Sequence, residues 1–417
     1  MDTIRIQGPS RLAGRVRASG AKNAVLPEMA ATLLVDGPVV LRNVPVVRDV
    51  QTMIKVLRPL GAGPASLEEN TLRVQGGTGG EAQAPYDLVR TMRASILVLG
   101  PLLARLGRAR VALPGGCAIG ARPIDFHIEA LRRMGATVAI EHGDVVATCP
   151  RLKGAEIVFE DRTVTGTENL MMAACLAEGR TVMKNCAQEP EVADLARFLN
   201  ACGARIEGAG TARIVIDGVP RLHGTEHRVI PDRIEAGTFL MAAAATRSAV
   251  TVEGCEPAHL ESVLDKMKEC GAALRIEGDS IAVAPDGTLR AANVTTRPYP
   301  DFPTDLQAQF MVLMTRADGV SIVTETVFEN RFMHVGELRR MGARIVVDGQ
   351  SAIVAGPSPL SGAPVMASDL RASACLILAG LAAEGETVIN RAYHIDRGYE
   401  KVETKFQALG ARIERIR

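Results

Sequence analysis

The chain has 417 residues, with 48 Lys and Arg against 47 Asp and Glu for a net charge of +1. So even a balance gives no electrostatic basis for nonspecific nucleic-acid binding, and 3% aromatic residues without a tryptophan leave little for base stacking. A hydrophobic content of 47% excludes global disorder, and two domains of about 200 residues each are expected at this length.

The first segment, "MDTIRIQGPSRLAGRVRASG", lacks the apolar stretch of a secretory leader. The most apolar runs, 94–104 and 375–383, fall short of the roughly 20 residues a bilayer span needs and read as buried helices. A cytoplasmic protein without membrane insertion is expected. The eight cysteines form no C-x-x-C pair, so no metal site is expected, and Cys175, Cys202 and Cys375 read as small core residues.

The chain repeats itself. Six helix-like runs close on Gly-Ala and pass into a β-like run, at Gly61, Gly135, Gly203, Gly271, Gly342 and Gly410. Glycine suits a helix C′ position because positive φ costs it little. The spacing of about 70 residues is too long for the common solenoids and fits a sheet-containing unit. The unit reads strand–helix–strand–helix–strand–strand, with three copies per domain.

Taken along the chain, the helix starts carry the chemistry. "SGAKNAVLP" opens the first repeat with Lys22 and Asn23. Arg93 in "TMRAS" matches Arg371 in "DLRAS", and "DRTVTGT" (161–167) matches "DRIEAGT" (232–238). Asp305 in "PTDLQAQF" occupies the position of Asp369 in "ASDLRASA". The second helices add Arg48, Arg122, Arg331 and Arg397, each expected at or before a helix start. A helix N-terminus is already electropositive, so arginine there asks for an anion. Together with Lys22, Arg93 and Arg371 these residues predict a cationic interdomain cleft for a phosphate- or carboxylate-bearing ligand. No Walker-type loop and no dinucleotide fingerprint is present, so no nucleotide cofactor is expected.

Cys117 lies on the glycine loop "LPGGCAIGARP", beside Arg122, and has no counterpart in the other five repeats. A thiol there is expected to have a lowered pKa and to act as general acid or nucleophile, the alternative being an inert loop residue. Asp305 is read as a general base or as a simple first-turn acid. His127 and His394 read as structural, Glu329 and Asn330 as structural or as serving domain closure, and Asp232 and Arg233 are expected to pair locally.

At this point the residues resemble a known family. "SGAKN", "PYDLVRTMRASI", "LPGGCAIGARPIDFHI", "FPTDLQAQF", "TETVFENRFMHV" and "IDRGYE", in that order, are similar to the UDP-N-acetylglucosamine enolpyruvyl (1-carboxyvinyl) transferases. The resemblance runs over the whole chain. It implies an inside-out α/β barrel of six βαβαββ repeats, three per domain. Residues 21–229 would form the first domain and 1–20 plus 230–417 the second.

The implied reaction moves the enolpyruvyl group of phosphoenolpyruvate to the 3′-hydroxyl of UDP-N-acetylglucosamine, releasing phosphate through a tetrahedral ketal. It commits the sugar to peptidoglycan. The implied partners are these two substrates, with no cofactor and no nucleic acid. By the resemblance, Cys117 protonates carbon 3, can carry a phosphoenolpyruvate adduct and is the thiol alkylated by fosfomycin. Asp305 contacts the 3′-hydroxyl. Lys22, Arg122 and Arg397 bind phosphoenolpyruvate, with Arg331 and Arg371 nearby. Asn23 and Arg93 contact either substrate. The uridine pocket is implied to comprise Arg122, Pro123, Ile124, Asp125 and Phe126, then Arg162, Thr163, Val164 and Thr165, and the backbone of Val327. Two other readings are a shikimate-pathway relative, which would not need Cys117, and a catalytically silent repeat protein that binds anions.

Overall fold

In a computed structural model the described residues are 2–77, 79–84, 86–89, 92–113 and 124–416. They fall into two compact units, one formed by 20–113 with 124–230 and one by 2–19 with 231–416.

The second unit shows how the repeat builds a core. Three helices, Arg233–Ala245, Gln307–Thr315 and Leu370–Ala382, pack on one another and are buried along nearly their whole length. Runs such as "MAAAA" and "CLILAGLA" are apolar all round, and a helix without a polar face must be enclosed. Helices with one polar face, such as Glu261–Glu269, flank this core.

Three four-stranded sheets complete the unit. Gly319–Thr324 and Ser351–Gly356 pair antiparallel, with Ile322 opposite Ile353, while Arg344–Asp348 forms an edge. The chain's own beginning supplies strands to the other two sheets. Thr3–Gly8 lies between Gly385–Asn390 and Arg412–Ile416. Its alternation buries Ile4 and Ile6 and turns Arg5 outward, toward Glu386 and Glu414. Ala13–Arg17 runs parallel to Ala249–Glu253.

The first unit uses the same parts. Residues 156–217 run strand Glu156–Val158, helix Val164–Cys175, strand Arg180–Lys184, helix Pro190–Ala201, then strands Arg205–Glu207 and Arg213–Asp217. These strands form a single sheet in which the first pairs parallel with the second. Helix Lys22–Ala31 packs against the 3₁₀ turn Arg93–Val98, helix Val164–Cys175 and helix Pro190–Ala201.

All six Gly-Ala glycines have positive φ, between +87° at Gly271 and +101° at Gly61, as the repeated helix ends require. Cys175, Cys202 and Cys375 are buried free thiols, as are Cys149, Cys186, Cys255 and Cys270. Cys117 lies outside the described residues. No helix among the described residues is long and apolar enough to cross a membrane.

Candidate functional site

Two predicted site residues of the second unit, Arg331 and Arg371, converge on a third, Asp305. Asp305 lies on the 3₁₀ turn Thr304–Leu306, which feeds helix Gln307–Thr315. Its Oδ1 accepts from Arg331 Nη2 at 2.7 Å and its Oδ2 from Arg371 Nη2 at 2.6 Å. Both arginine side chains are buried, at 7% and 8% exposure, while that of Asp305 keeps 26%. Burial alone would raise the Asp305 carboxyl, but the Arg371 and Arg331 guanidinium groups hold it well below the ordinary carboxylate range. Asp305 stands in the first turn of this segment, and no side chain caps the turn.

Each arginine is itself held. Arg371 follows the N-cap Asp369, whose carboxylate accepts from the backbone N–H groups of Arg371 at 2.8 Å and Ala372 at 3.0 Å. Its Nη1 donates to the Tyr399 hydroxyl at 3.3 Å, and Tyr399 shares hydrogen bonds with Thr238 and Gln309. Burial raises the Tyr399 hydroxyl. Arg331 stacks 5.1 Å from the Phe328 ring and donates through Nη1 to Thr304 Oγ1 at 3.0 Å. Val327 begins the same loop, its N–H donating to Glu325 at 2.8 Å.

Arg397 departs from expectation. It closes the 3₁₀ segment Ala392–Arg397 instead of opening a helix, because Gly398 and the left-handed Lys401 precede helix Val402–Ala408. Glu329 and Asn330 are exposed. Asp232 directly precedes Arg233, at the start of a helix. It N-caps helix Arg233–Ala245, accepting from Ile234 and Glu235 N–H groups at 2.8 and 3.0 Å.

In the first unit, Lys22 opens helix Lys22–Ala31 and its Nζ lies 3.4 Å from the Asp49 carboxylate, one residue into the helix that Arg48 begins. Asn23 beside it is exposed. Arg93 opens a 3₁₀ turn and is partly buried. Ile124 is buried just before helix Asp125–Arg133, whose first residues Asp125 and Phe126 are exposed and partly buried. Arg162 is exposed, and Thr163 caps helix Val164–Cys175 through its hydroxyl, which accepts from Gly166 N–H at 3.2 Å. Thr165 Oγ1 lies 3.4 Å from His127 Nε2, so the strips 124–126 and 162–165 meet through that ring. Asn169 Nδ2 sits 2.8 Å from His127 Nδ1, and burial lowers His127 to about 4, which makes it a neutral strut. Arg122 and Pro123, like Cys117, lie outside the described residues.

Among the described residues one group has metal-ligand character: Glu28, Asp194 and His227. His227 Nε2 stands 3.1 Å from Asp194 and 3.4 Å from Glu28. Burial opposes charge on the ring, yet hydrogen bonds to Asp194 and Glu28 push it up to about 9. Asp194 also accepts from Arg197 at 3.0 Å and from Ile230 N–H at 3.0 Å. The group reads as a proton-sharing clamp between helices Lys22–Ala31 and Pro190–Ala201 and strand Glu226–Arg228. The residues that sequence reasoning passed over are Thr304, Glu325 and Tyr399. All three stood inside quoted motifs, but the side chains that tie them to the arginines of Asp305 lie 21 to 28 residues away, beyond any local pattern.

Comparisons with known proteins concern the chain as a whole. The profile of the family described as EPSP synthase (3-phosphoshikimate 1-carboxyvinyltransferase) matches residues 6–406. The chain is 56% identical to a UDP-N-acetylglucosamine 1-carboxyvinyltransferase of Koribacter versatilis, covering 100% of this chain and 97% of that one. It is 57% identical to a protein of the same name from Magnetococcus marinus and 58% to one from Anaeromyxobacter sp. (strain K), each with 100% coverage of both chains. Among solved structures it resembles the enolpyruvyl transferase NikO of Streptomyces tendae, with TM-score 0.89 and 27% identity over 99% of this chain and 98% of that one. It shares the fold of an EPSP synthase from Acinetobacter baumannii at TM-score 0.77 and 20% identity, covering 100% of both chains.

Proposed function

The chain belongs to the enolpyruvyl transferase family described as EPSP synthase, and from that membership we propose that it transfers the enolpyruvyl group of phosphoenolpyruvate to the 3′-hydroxyl of UDP-N-acetylglucosamine. The observation in the structure that carries this reading is Asp305, kept ionised between Arg331 and Arg371. The step is the committing one of peptidoglycan synthesis, and we place it in the cytoplasm. The six-repeat inside-out barrel and the division at 21–229 are part of the same proposal, supported by the three sheets in each unit among the described residues.

The chemistry runs as addition and elimination. The 3′-hydroxyl oxygen bonds to carbon 2 of phosphoenolpyruvate while its proton leaves toward Asp305, and carbon 3 takes a proton from Cys117. Carbon 3 then loses a proton, the carbon–oxygen bond to phosphate breaks, and the enol ether remains. Lys22, Arg122 and Arg397 bind the anion. Asn23 and Arg93 contact either substrate, and Arg122, Pro123, Ile124, Asp125, Phe126, Arg162, Thr163, Val164, Thr165 and Val327 hold the sugar nucleotide.

A carboxylate held by two guanidinium groups is a weak base. An anionic substrate that draws on Arg371 or Arg331 weakens that hold and raises the proton affinity of Asp305 when both reactants are present. The test is phosphate release with phosphoenolpyruvate and UDP-N-acetylglucosamine, repeated after fosfomycin. No release refutes the assignment, and turnover with shikimate 3-phosphate instead supports the shikimate-pathway alternative. Release unaffected by the drug removes Cys117 from its role.

A further inference from the structure

Glu325 lies on none of the helix starts, yet it contacts both Thr304 and the loop that leads to Arg331. The residue is 1% exposed. Its Oε1 accepts from the backbone N–H groups of Val327 at 2.8 Å and Phe328 at 3.2 Å, which folds the loop that leads to Arg331. Its Oε2 accepts from the Thr304 hydroxyl at 2.8 Å. Thr304 Oγ1 in turn accepts from Arg331 Nη1 at 3.0 Å, and Arg331 Nη2 reaches Asp305 at 2.7 Å.

The direction of these bonds matters. A hydroxyl has one hydrogen and two lone pairs. Because the carboxylate takes the Thr304 hydrogen, the oxygen is left as an acceptor for Arg331. Donation to a charged acceptor also polarises the hydroxyl and strengthens its lone pairs toward the guanidinium. The guanidinium is planar, so fixing Nη1 on Thr304 fixes where Nη2 points. The carboxylate thereby sets the angle at which Arg331 presents itself to Asp305.

We infer that Glu325 is a positioning residue of the transfer reaction, acting on Asp305 through the polarised Thr304 hydroxyl and Arg331. The inference rests on the reaction proposed above. Its alternative is that Glu325 serves only to fold the 325–328 turn.

Glu325→Gln separates the two. The amide oxygen can still accept from Val327 and Phe328, so the turn keeps its bonds. The amide nitrogen then faces Thr304 and offers a donor where the hydroxyl needs an acceptor. The Thr304 hydrogen is left without a partner or turns toward Arg331, which is itself a donor. Wild-type phosphate release with both substrates is measured first, so that failure of the reaction assignment appears in the parent enzyme and not in the variant.

Glu325→Gln is expected to lower kcat about 10-fold or more, because small misplacements of a reacting group carry losses of that order. Thr304→Val is expected to lower it similarly, and Thr304→Ser, which keeps the hydroxyl, to restore it. In the Thr304→Val background Glu325→Gln should add less than about 2-fold, since the path it acts through is gone. The inference is overturned by a wild-type kcat in Glu325→Gln, or by losses that multiply in the double variant. Should Glu325→Gln not fold, equal kcat for Thr304→Val and Thr304→Ser overturns it instead.

Discussion

Replacing Arg371 by alanine tests whether Asp305 is a clamped, buried carboxylate or an ordinary surface acid. The bond lost is 2.6 Å long, and the arginine side chain is 8% exposed. Removing one partner of a fully buried pair costs about 3–5 kcal/mol, chiefly by leaving the other charge behind. Two features lower that figure: Asp305 keeps 26% exposure, and Arg331 still holds its other oxygen. Losing the bond to the buried Tyr399 hydroxyl pulls the other way. A destabilisation of about 2–3 kcal/mol is expected from urea unfolding at pH 7. Because the folded-state pKa of Asp305 is depressed, its stabilisation is fully present above its unfolded value, about 3.9, and is lost only as pH falls through the lower folded value. The difference between variant and parent should therefore stay flat from pH 8 to 5. It should also survive 1 M NaCl, since screening acts mainly on exposed charges. A loss under about 1 kcal/mol, or one that collapses in salt, would refute the buried clamp and assign the pair to the surface class.

Three further expectations can be checked alongside it. Tyr399→Phe keeps the ring under Arg371 and removes only the hydroxyl shared with Thr238 and Gln309, so kcat should fall severalfold while the unfolding free energy from urea titration drops by about 1–2 kcal/mol; unchanged kinetics would show that Arg371 needs no such anchor. His227 has a raised folded pKa, so its contribution is complete below its unfolded value and fades as pH climbs toward about 9, whereas burial lifts Glu28 from 4.5 to about 8, so its share of the loss falls over that lower range; His227→Gln should reduce the loss of stability between pH 8 and 9 in calorimetry, and an unchanged slope there would place the titrating group elsewhere. Gly135→Ala and Gly271→Ala sit at the same repeat position but in different surroundings: the first meets open space and should cost about 1 kcal/mol from its positive φ alone, whereas the second drives a methyl into the Thr288 carbonyl and should cost clearly more, with equal losses contradicting the packing argument.

The fold was largely legible because one helix ending recurs in the sequence at six glycines. Gly61, Gly135, Gly203, Gly271, Gly342 and Gly410 mark helix ends that local conformational energy dictates, and all six adopt the positive φ expected of them. Arg331, Arg371 and Asp305 were legible as charged residues at repeat positions. That the two arginines spend their charge on Asp305 was not, since the pairs span 26 and 66 residues and depend on how the repeats pack. The same applies to Glu325, which reaches Thr304 across 21 residues. Arg397 misled for a local reason: a glycine and a left-handed lysine delay the helix that its spacing implied.

The helix starts show how a repeated scaffold acquires chemistry. At Thr163, Asp232 and Asp369 the side chain caps its own helix, accepting backbone N–H groups that would otherwise be unpaired. A carboxylate so engaged has one oxygen turned to its own backbone. Asp305 occupies the matching position, but the preceding Pro303 leads into a 3₁₀ turn with no side-chain cap, so its oxygens point to other groups. Asp369 meanwhile fixes the backbone of Arg371, which delivers its guanidinium to Asp305. One helix start thus gives up its cap to expose a carboxylate, and another uses its cap to aim the arginine that keeps that carboxylate charged. Restoring a cap at the first position, or removing it at the second, should damage the reaction for opposite reasons: the first by occupying Asp305, the second by releasing Arg371.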